Sequence, residues 1–255
     1  MERGFTLVEI AIVVLVLGLL LASLLGPLSV RIEQQEIRKT SDQMEEIKEA
    51  LYGYAMEYGA LPCPDRFLGA GAGDGFGDSP CPADAEEGWL PYQTLGVAPG
   101  DAWGFRYRYR VTPQFTIADS NHDNCSSSEP PPPDLDLCAI GDIDIATRDY
   151  DNRNPPNDAS DVPAVIMSHG KNGYGATRTD GSNVPPPDLW SATNADEEEN
   201  TDGGNQRFVN RHYSAETINC DDNDASQPYC AFDDIVARLT ANVLKYRLVQ
   251  AGRLP

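Results

Sequence analysis

Basic residues are scarce in this chain. Nineteen Lys and Arg stand against forty Asp and Glu, leaving a formal net charge of −21. So large a negative charge argues against the whole molecule gripping DNA, whose backbone is also anionic, and no nucleic-acid partner is expected. Histidine is rarer still: His122, His169 and His212 show no ligand-like spacing and read as surface or loop residues. None of the six cysteines forms a Cys-x-x-Cys pair, which weakens zinc and thioredoxin-like readings. The glycine-rich run from Gly69 to Gly77 lacks the Lys-Ser/Thr ending of a phosphate loop. Ser168 and His169 are adjacent, and neighbours on a strand face opposite ways. With no catalytic constellation left, the chain is expected not to be an enzyme.

Charge is also nearly missing from residues 5–28. Glu9 is the only charged residue there, ahead of an apolar run from Ile10 to Leu25. A helix over Phe5–Leu28 is about 36 Å long at ~1.5 Å per residue, enough for a ~30 Å hydrocarbon layer. Glu2 and Arg3 precede it, and the single cation favours a cytoplasmic N-terminus. No small-x-small cleavage site lies beyond the run, so it is not a secretory signal of the usual kind. A carboxylate in apolar surroundings needs a partner. By composition alone, Glu9 either meets a cation in an assembly or snorkels to the membrane interface.

Beyond the apolar run lies an amphipathic segment. Gly26-Pro27 is expected to interrupt the helix, because proline removes a backbone donor. From Val30 the helix resumes to about Tyr58, where Gly59 ends it. Ile37, Met44, Leu51 and Tyr58 recur every seven residues, with Ile47 and Tyr54 beside them, forming one apolar stripe. That stripe is expected to pack on a globular head.

The segment Gly4-Phe5-Thr6-Leu7-Val8-Glu9 closely resembles the processing motif of type IV pilins and type II secretion pseudopilins. The resemblance implies that a prepilin peptidase cuts after Gly4 and N-methylates Phe5. It also implies that Glu9 pairs with the N-terminal amine of a neighbouring subunit. The implied organisation is a leader at 1–4, a transmembrane and assembly helix at 5–28, its amphipathic continuation at 29–59, and a periplasmic head at 60–255. The implied fold is α+β and pilin-like: a long N-terminal helix on a small antiparallel sheet, with a loop-rich head and a C-terminal helix. The implied location is the bacterial inner membrane, single-pass, or an assembled filament. The peptidase and other pilin or pseudopilin subunits are the implied partners. A long, loop-heavy head favours a minor subunit. The alternative is a membrane-tethered periplasmic binding protein or enzyme with a prepilin-like anchor.

Within the head, Trp103 to Val111 alternates aromatic and arginine residues, as a half-buried strand does. Arg106, Arg108 and Arg110 are then a solvated face paired with nearby acids, or a subunit contact. Gln114 to Ala118 reads as a neighbouring strand, Val162 to Ser168 as an apolar strand, and Gln206 to Tyr213 as another. Phe232 to Gly252 reads as a docked helix capped by Asp233 or Asp234, with Ile235, Val236, Leu239, Val243 and Tyr246 on one face. The stretches Glu129–Asp134 and Val184–Asp188 read as polyproline surface segments.

Cys63, Cys81, Cys125, Cys138, Cys220 and Cys230 form an even set, which fits disulfides in an oxidising compartment. Many connectivities are open. The local one, Cys63–Cys81, Cys125–Cys138 and Cys220–Cys230, is preferred because each bond staples a loop-rich segment. No cofactor is indicated except a structural calcium. Asp119 to Asn124 begins like an EF-hand loop but has Pro130 where the bidentate Glu belongs, so an EF-hand is rejected. Asp221, Asp222 and Asp224 with Asp233 and Asp234 make a better oxygen cluster, set against the default of a solvated acidic loop. Asp196 to Asn200 is likewise expected to be a solvated acidic loop. Two head segments extend the resemblance. Asp101 to Tyr109 looks like the D-x-W-G-x-x-Y-x-Y stretch of major pseudopilins. Ser168 to Gly173, with Asp202-Gly-Gly204 and Phe232 to Ile235, looks like their calcium-binding loop region, although Asn172 stands where an acid is usual.

Overall fold

Helix α1 (Leu7–Tyr58) runs unbroken through Gly26 and Pro27 in the computed structural model. The structure describes residues 7–66, 73–78, 81, 87–118, 135–148, 157–184, 194–201, 206–215 and 217–255, with the side chains of 20–29 outside the description. The expected interruption at Gly26-Pro27 is therefore corrected. A proline takes away a single helical hydrogen bond, and the good helix formers on either side carry the backbone through it. Gly59 stops the helix as expected. It adopts φ +79, and its N–H donates to the carbonyl of Ala55 at 2.7 Å.

The chain divides into two compact units, Met1–Lys39 and Thr40–Pro255. In the first, Leu7, Val8, Ile10, Ile12 and the residues through Leu17 and Leu19 are exposed. Among the described residues no helix is long and apolar enough to cross a membrane. The expected span at 5–28 includes Phe5 and side chains that lie outside them.

The second unit is α+β and has three layers. After α1 come β1 (Glu87–Trp89), α2 (Tyr92–Leu95), β2 (Arg108–Val111), β3 (Ile143–Ala146), β4 (Asn157–Val162) and β5 (Ala164–Ser168). The remaining elements are α3 (Ala195–Thr201), β6 (Arg207–Val209), β7 (Ile235–Arg238) and α4 (Ala241–Gln250). One sheet is antiparallel, in the order β1-β2-β5-β7. The other is mixed, in the order β4-β3-β6, with β3 and β6 parallel.

Strand β5 shows how the layers meet. Its five residues are all buried. Ala164 and Ile166 join the core made by α1 and α4, whereas Val165 and Met167 join the core over the second sheet. A strand covered on both faces reads as a continuous apolar run, and this one does.

The α1 side of the core holds Met44, Ile47, Leu51, Tyr52 and Ala55. The expected docking of this part of α1 is met, but Ile37 and Tyr58 are exposed. A strict seven-residue repeat drifts around a helix of ~3.6 residues per turn. The buried line therefore advances to Tyr52 and Ala55 instead of keeping the heptad. Each fully buried aliphatic residue here contributes roughly 1.5–3 kcal/mol.

Five other expectations are corrected. β2 is not half-buried: Arg108 and Arg110 lie inside, because the sheet carries a layer on each face. They do pair with acids. Arg108 binds Glu87 and donates to the carbonyl of Asn200 at 2.8 Å, and Arg110 lies 3.8 Å from both Glu87 and Asp142. Residues Pro113–Thr116 form a 3-10 turn, not a strand. The expected helix from Phe232 divides into β7 and α4, since the β-branched pair Ile235-Val236 completes the sheet beside β5. On α4 it is Leu244 and Leu248 that are buried, not Val243 and Tyr246. His169 is buried, against the surface reading; His212 is exposed, as expected, and His122 lies outside the described residues.

Candidate functional site

The first group of expected residues stands at the N-terminus. Gly4 and Phe5 lie outside the described residues. Glu9 lies in the first turn of α1 and is exposed among exposed apolar neighbours.

Two of the three expected disulfides are present. Cys63 and Cys81 are bonded with their Cα atoms 5.6 Å apart, and Cys220 and Cys230 with theirs 4.9 Å apart. Cys138 is disulfide-bonded. Its expected partner Cys125 lies outside the described residues.

The acidic residues sort into three different roles. Asp221 and Asp224 organise turns: the N–H of Asn223 donates to Asp221 at 2.8 Å, and that of Ser226 to Asp224 at 2.9 Å. Asp222 is fully buried in an ion network. Arg211 contacts it at 3.3 Å and Asp196 at 2.6 Å, while Arg148 reaches Asp196 at 2.5 Å. The guanidinium of Arg211 lies over the rings of Tyr229 and Phe232, at 4.8 and 4.4 Å. It also donates to the carbonyl of Cys230 at 3.2 Å. Arg211 thus ties α3 to the Cys220–Cys230 loop.

Asp233 and Asp234 do something else. They converge with Glu197, their carboxylate oxygens all within 4.8 Å of one another. The proposed helix cap at Asp233 or Asp234 is thereby corrected, and Thr240 occupies the capping position of α4. Of the five acids expected to form one cluster, the structure brings Asp233 and Asp234 together with Glu197, and Asp221, Asp222 and Asp224 stand apart from that group. Residues 195–201 are not a solvated loop but α3, with Asp196, Glu197 and Asn200 buried. No contiguous motif marks Glu197. The signal is Asp196, Glu197 and Asn200 at helical spacing i, i+1 and i+4, which puts a polar face inward.

Neighbouring turns hold the cluster. Gly170 has φ +59, and a Cβ there would stand 2.2 Å from the carbonyl of Asp233, so only glycine permits this approach. Asn172 donates through its side-chain amide to Glu197 at 2.9 Å and through its backbone N–H to Asp233 at 2.8 Å. Where the resemblance expects an acid, this chain places the amide that braces two acids. Asn194 donates to the second Glu197 oxygen at 3.2 Å. Asn200 donates to Asp234 at 2.8 Å.

Burial pushes Glu197 up to about 7, with Asp233 adding to it and the Asn172 and Asn194 amides opposing. Burial also raises Asp234 well above the carboxylate range, Glu197 adds repulsion, and the Asn200 amide counteracts both. A carboxylate trio with two members buried and the third half-buried either keeps protons or takes a cation. Its donors are all oxygen, with no thiolate or imidazole among them, which suits a hard divalent cation such as calcium.

A nucleophile is not assembled at Ser168-His169. The Ser168 hydroxyl donates to buried Asp101 at 2.7 Å, and burial takes His169 down to about 3. No protein-family model matches this chain, and no curated protein and no solved structure resembles it significantly.

Proposed function

We propose that this chain is a structural subunit of a type IV pilus or type II secretion pseudopilus, serving as a minor component. A prepilin peptidase cuts after Gly4 and methylates Phe5, and the apolar part of α1 passes from the inner membrane into the filament core. There Glu9 meets the amine of a neighbouring copy and sets its register, while the periplasmic head stays outside. The observation that carries this reading is the sequence Gly4-Phe5…Glu9, whose Glu9 lies in the first turn of a 52-residue helix. Two further features support it. The helix exposes apolar side chains over its first turns and buries a stripe in an α+β unit over its last. A contiguous exposed apolar surface of that size needs a partner.

Glu9→Gln tests the role of the acid. The variant should reach the membrane and lose its leader as the natural chain does, yet fail to enter filaments when co-assembled with it. Incorporation at the natural level would contradict the assembly role of Glu9.

The trio Glu197, Asp233 and Asp234 serves in this reading as a structural calcium site that stabilises the head. Calcium should raise the melting temperature relative to chelator, by the equivalent of about 3 kcal/mol at a hundredfold excess over Kd. Glu197→Gln should abolish most of that difference. Equal melting temperatures with calcium and chelator would remove the ion from the account.

A further inference from the structure

Charge is segregated along this chain. Residues 235–255 carry four of its nineteen cations and none of its forty acids. Helix α4 displays two of them, Lys245 and Arg247, beside an apolar arc, and Arg253 follows it. At roughly 100° per residue, Val243, Tyr246 and Val249 fall on one side of the helix, with Lys245 and Arg247 at the two edges. Those three side chains are 40%, 62% and 41% exposed, while Leu244 and Leu248 opposite them are buried.

The cations differ in how they are matched. Arg247 makes a two-pronged contact with Glu49, at 2.7 and 2.9 Å. Lys245 donates only to the carbonyls of Leu137 and Ala139, at 2.8 and 2.7 Å, with Asp136 acting on it from further away. Arg253 donates only to the carbonyls of Met56 and Glu57. Among the described residues, neither Lys245 nor Arg253 has a carboxylate within ion-pair distance.

Unmatched acids stand on the same side of the head. Asp42 and Glu46 are exposed and one turn apart on α1, and neither has an ion pair among the described residues. Like charges at i and i+4 repel each other. Asp42, Glu46 and Glu49 fall within ~60° of one another around the helix. Glu49 is the acid that meets Arg247 of α4. This surface therefore runs from unmatched carboxylates near Asp42 to unmatched cations near Arg253, about 22 Å further along α1.

We propose that this surface is a contact between copies of the chain, in which Lys245, Tyr246 and Arg253 of one copy seat against Asp42 and Glu46 of the next. The basic end repels its own kind and matches the acidic end, so the contact is heterologous. Between copies held parallel it does not close, and it propagates as a filament. The parallel arrangement rests on the filament reading above; the charge match does not.

A photo-crosslinking phenylalanine analogue in place of Tyr246, in the full-length protein in membranes, tests the contact. Irradiation should yield a covalent dimer whose linked peptide contains residues 42–46 of the second copy. Arg253→Glu should lower the dimer yield at least about tenfold, since facing like charges oppose association. Asp42→Lys with Glu46→Lys, on an exposed helix face that does not decide folding, should do the same. Combining both sets of reversals should restore the dimer. Crosslinks to lipid or to another protein, no dimer from a chain that is processed at Gly4, or no recovery in the combined variant would each overturn the proposal. A dimer with the expected peptide in a chain left uncut at Gly4 would uphold this contact and remove the filament reading.

Discussion

Asp196 and Glu197 are neighbours on one short helix, equally buried, and chemically opposite. Asp196 faces Arg211 and Arg148 at 2.6 and 2.5 Å, whereas Glu197 faces Asp233 and Asp234. Burial raises both carboxyls, but Asp196 has two guanidiniums working against that rise and Glu197 has only amide donors. Desolvation alone therefore does not distinguish a structural acid from a site. The sign of the nearest charges does, and in α3 it reverses within one residue.

Removing the cation from the matched side should have the largest effect. Arg211→Ala leaves Asp196 and Asp222 buried without their central guanidinium and loses the packing against Tyr229 and Phe232. Denaturant unfolding should show a loss of about 3–5 kcal/mol. A loss below 1 kcal/mol would mean that the two acids are not held by this charge.

The unmatched side makes a prediction about pH. Glu197 is raised when folded, so the folded chain holds a proton that the unfolded chain releases between the ordinary glutamate value and about 7. Stability in chelator should therefore be highest below that window and fall as pH rises through it, by on the order of 3 kcal/mol. Glu197→Gln should flatten the slope. Stability rising with pH across this window would show that a cation or an unrecognised donor already compensates the trio.

The smallest effect probes the link between the two sides. The Cys220–Cys230 bond closes the loop that carries Asp222, and Cys230 is fixed by Arg211. Replacing both cysteines with serine should cost about 2–3 kcal/mol by chain entropy. It should also weaken the calcium-induced rise in melting temperature, because Asp233 and Asp234 lie only a few residues past Cys230. An unchanged calcium response would separate the trio from the network.

The legible parts of the sequence were those governed by local rules. The amphipathic half of α1, its stop at Gly59, the apolar strand β5 and two local disulfides are all consequences of spacing and residue type. The misread parts depend on what packs against them. Arginines at Arg108 and Arg110 look solvated until a second sheet covers β2. Ile235 and Val236 suit a helix as well as a strand until the open edge of β5 decides. Glu197 hides in an acidic run because the two acids it meets, Asp233 and Asp234, lie more than thirty residues further along the chain. The N-terminal motif is different in kind: the proposed reading makes it chemistry done to the chain, and it is carried by Gly4, Phe5 and Glu9 alone.

That motif supplies the most direct test of the filament account. The intact mass and N-terminal sequence of the protein should be measured from cells with an active prepilin peptidase. The account predicts a chain that begins at Phe5 and is heavier by one methyl group. A chain that retains residues 1–4, or begins elsewhere, would contradict it.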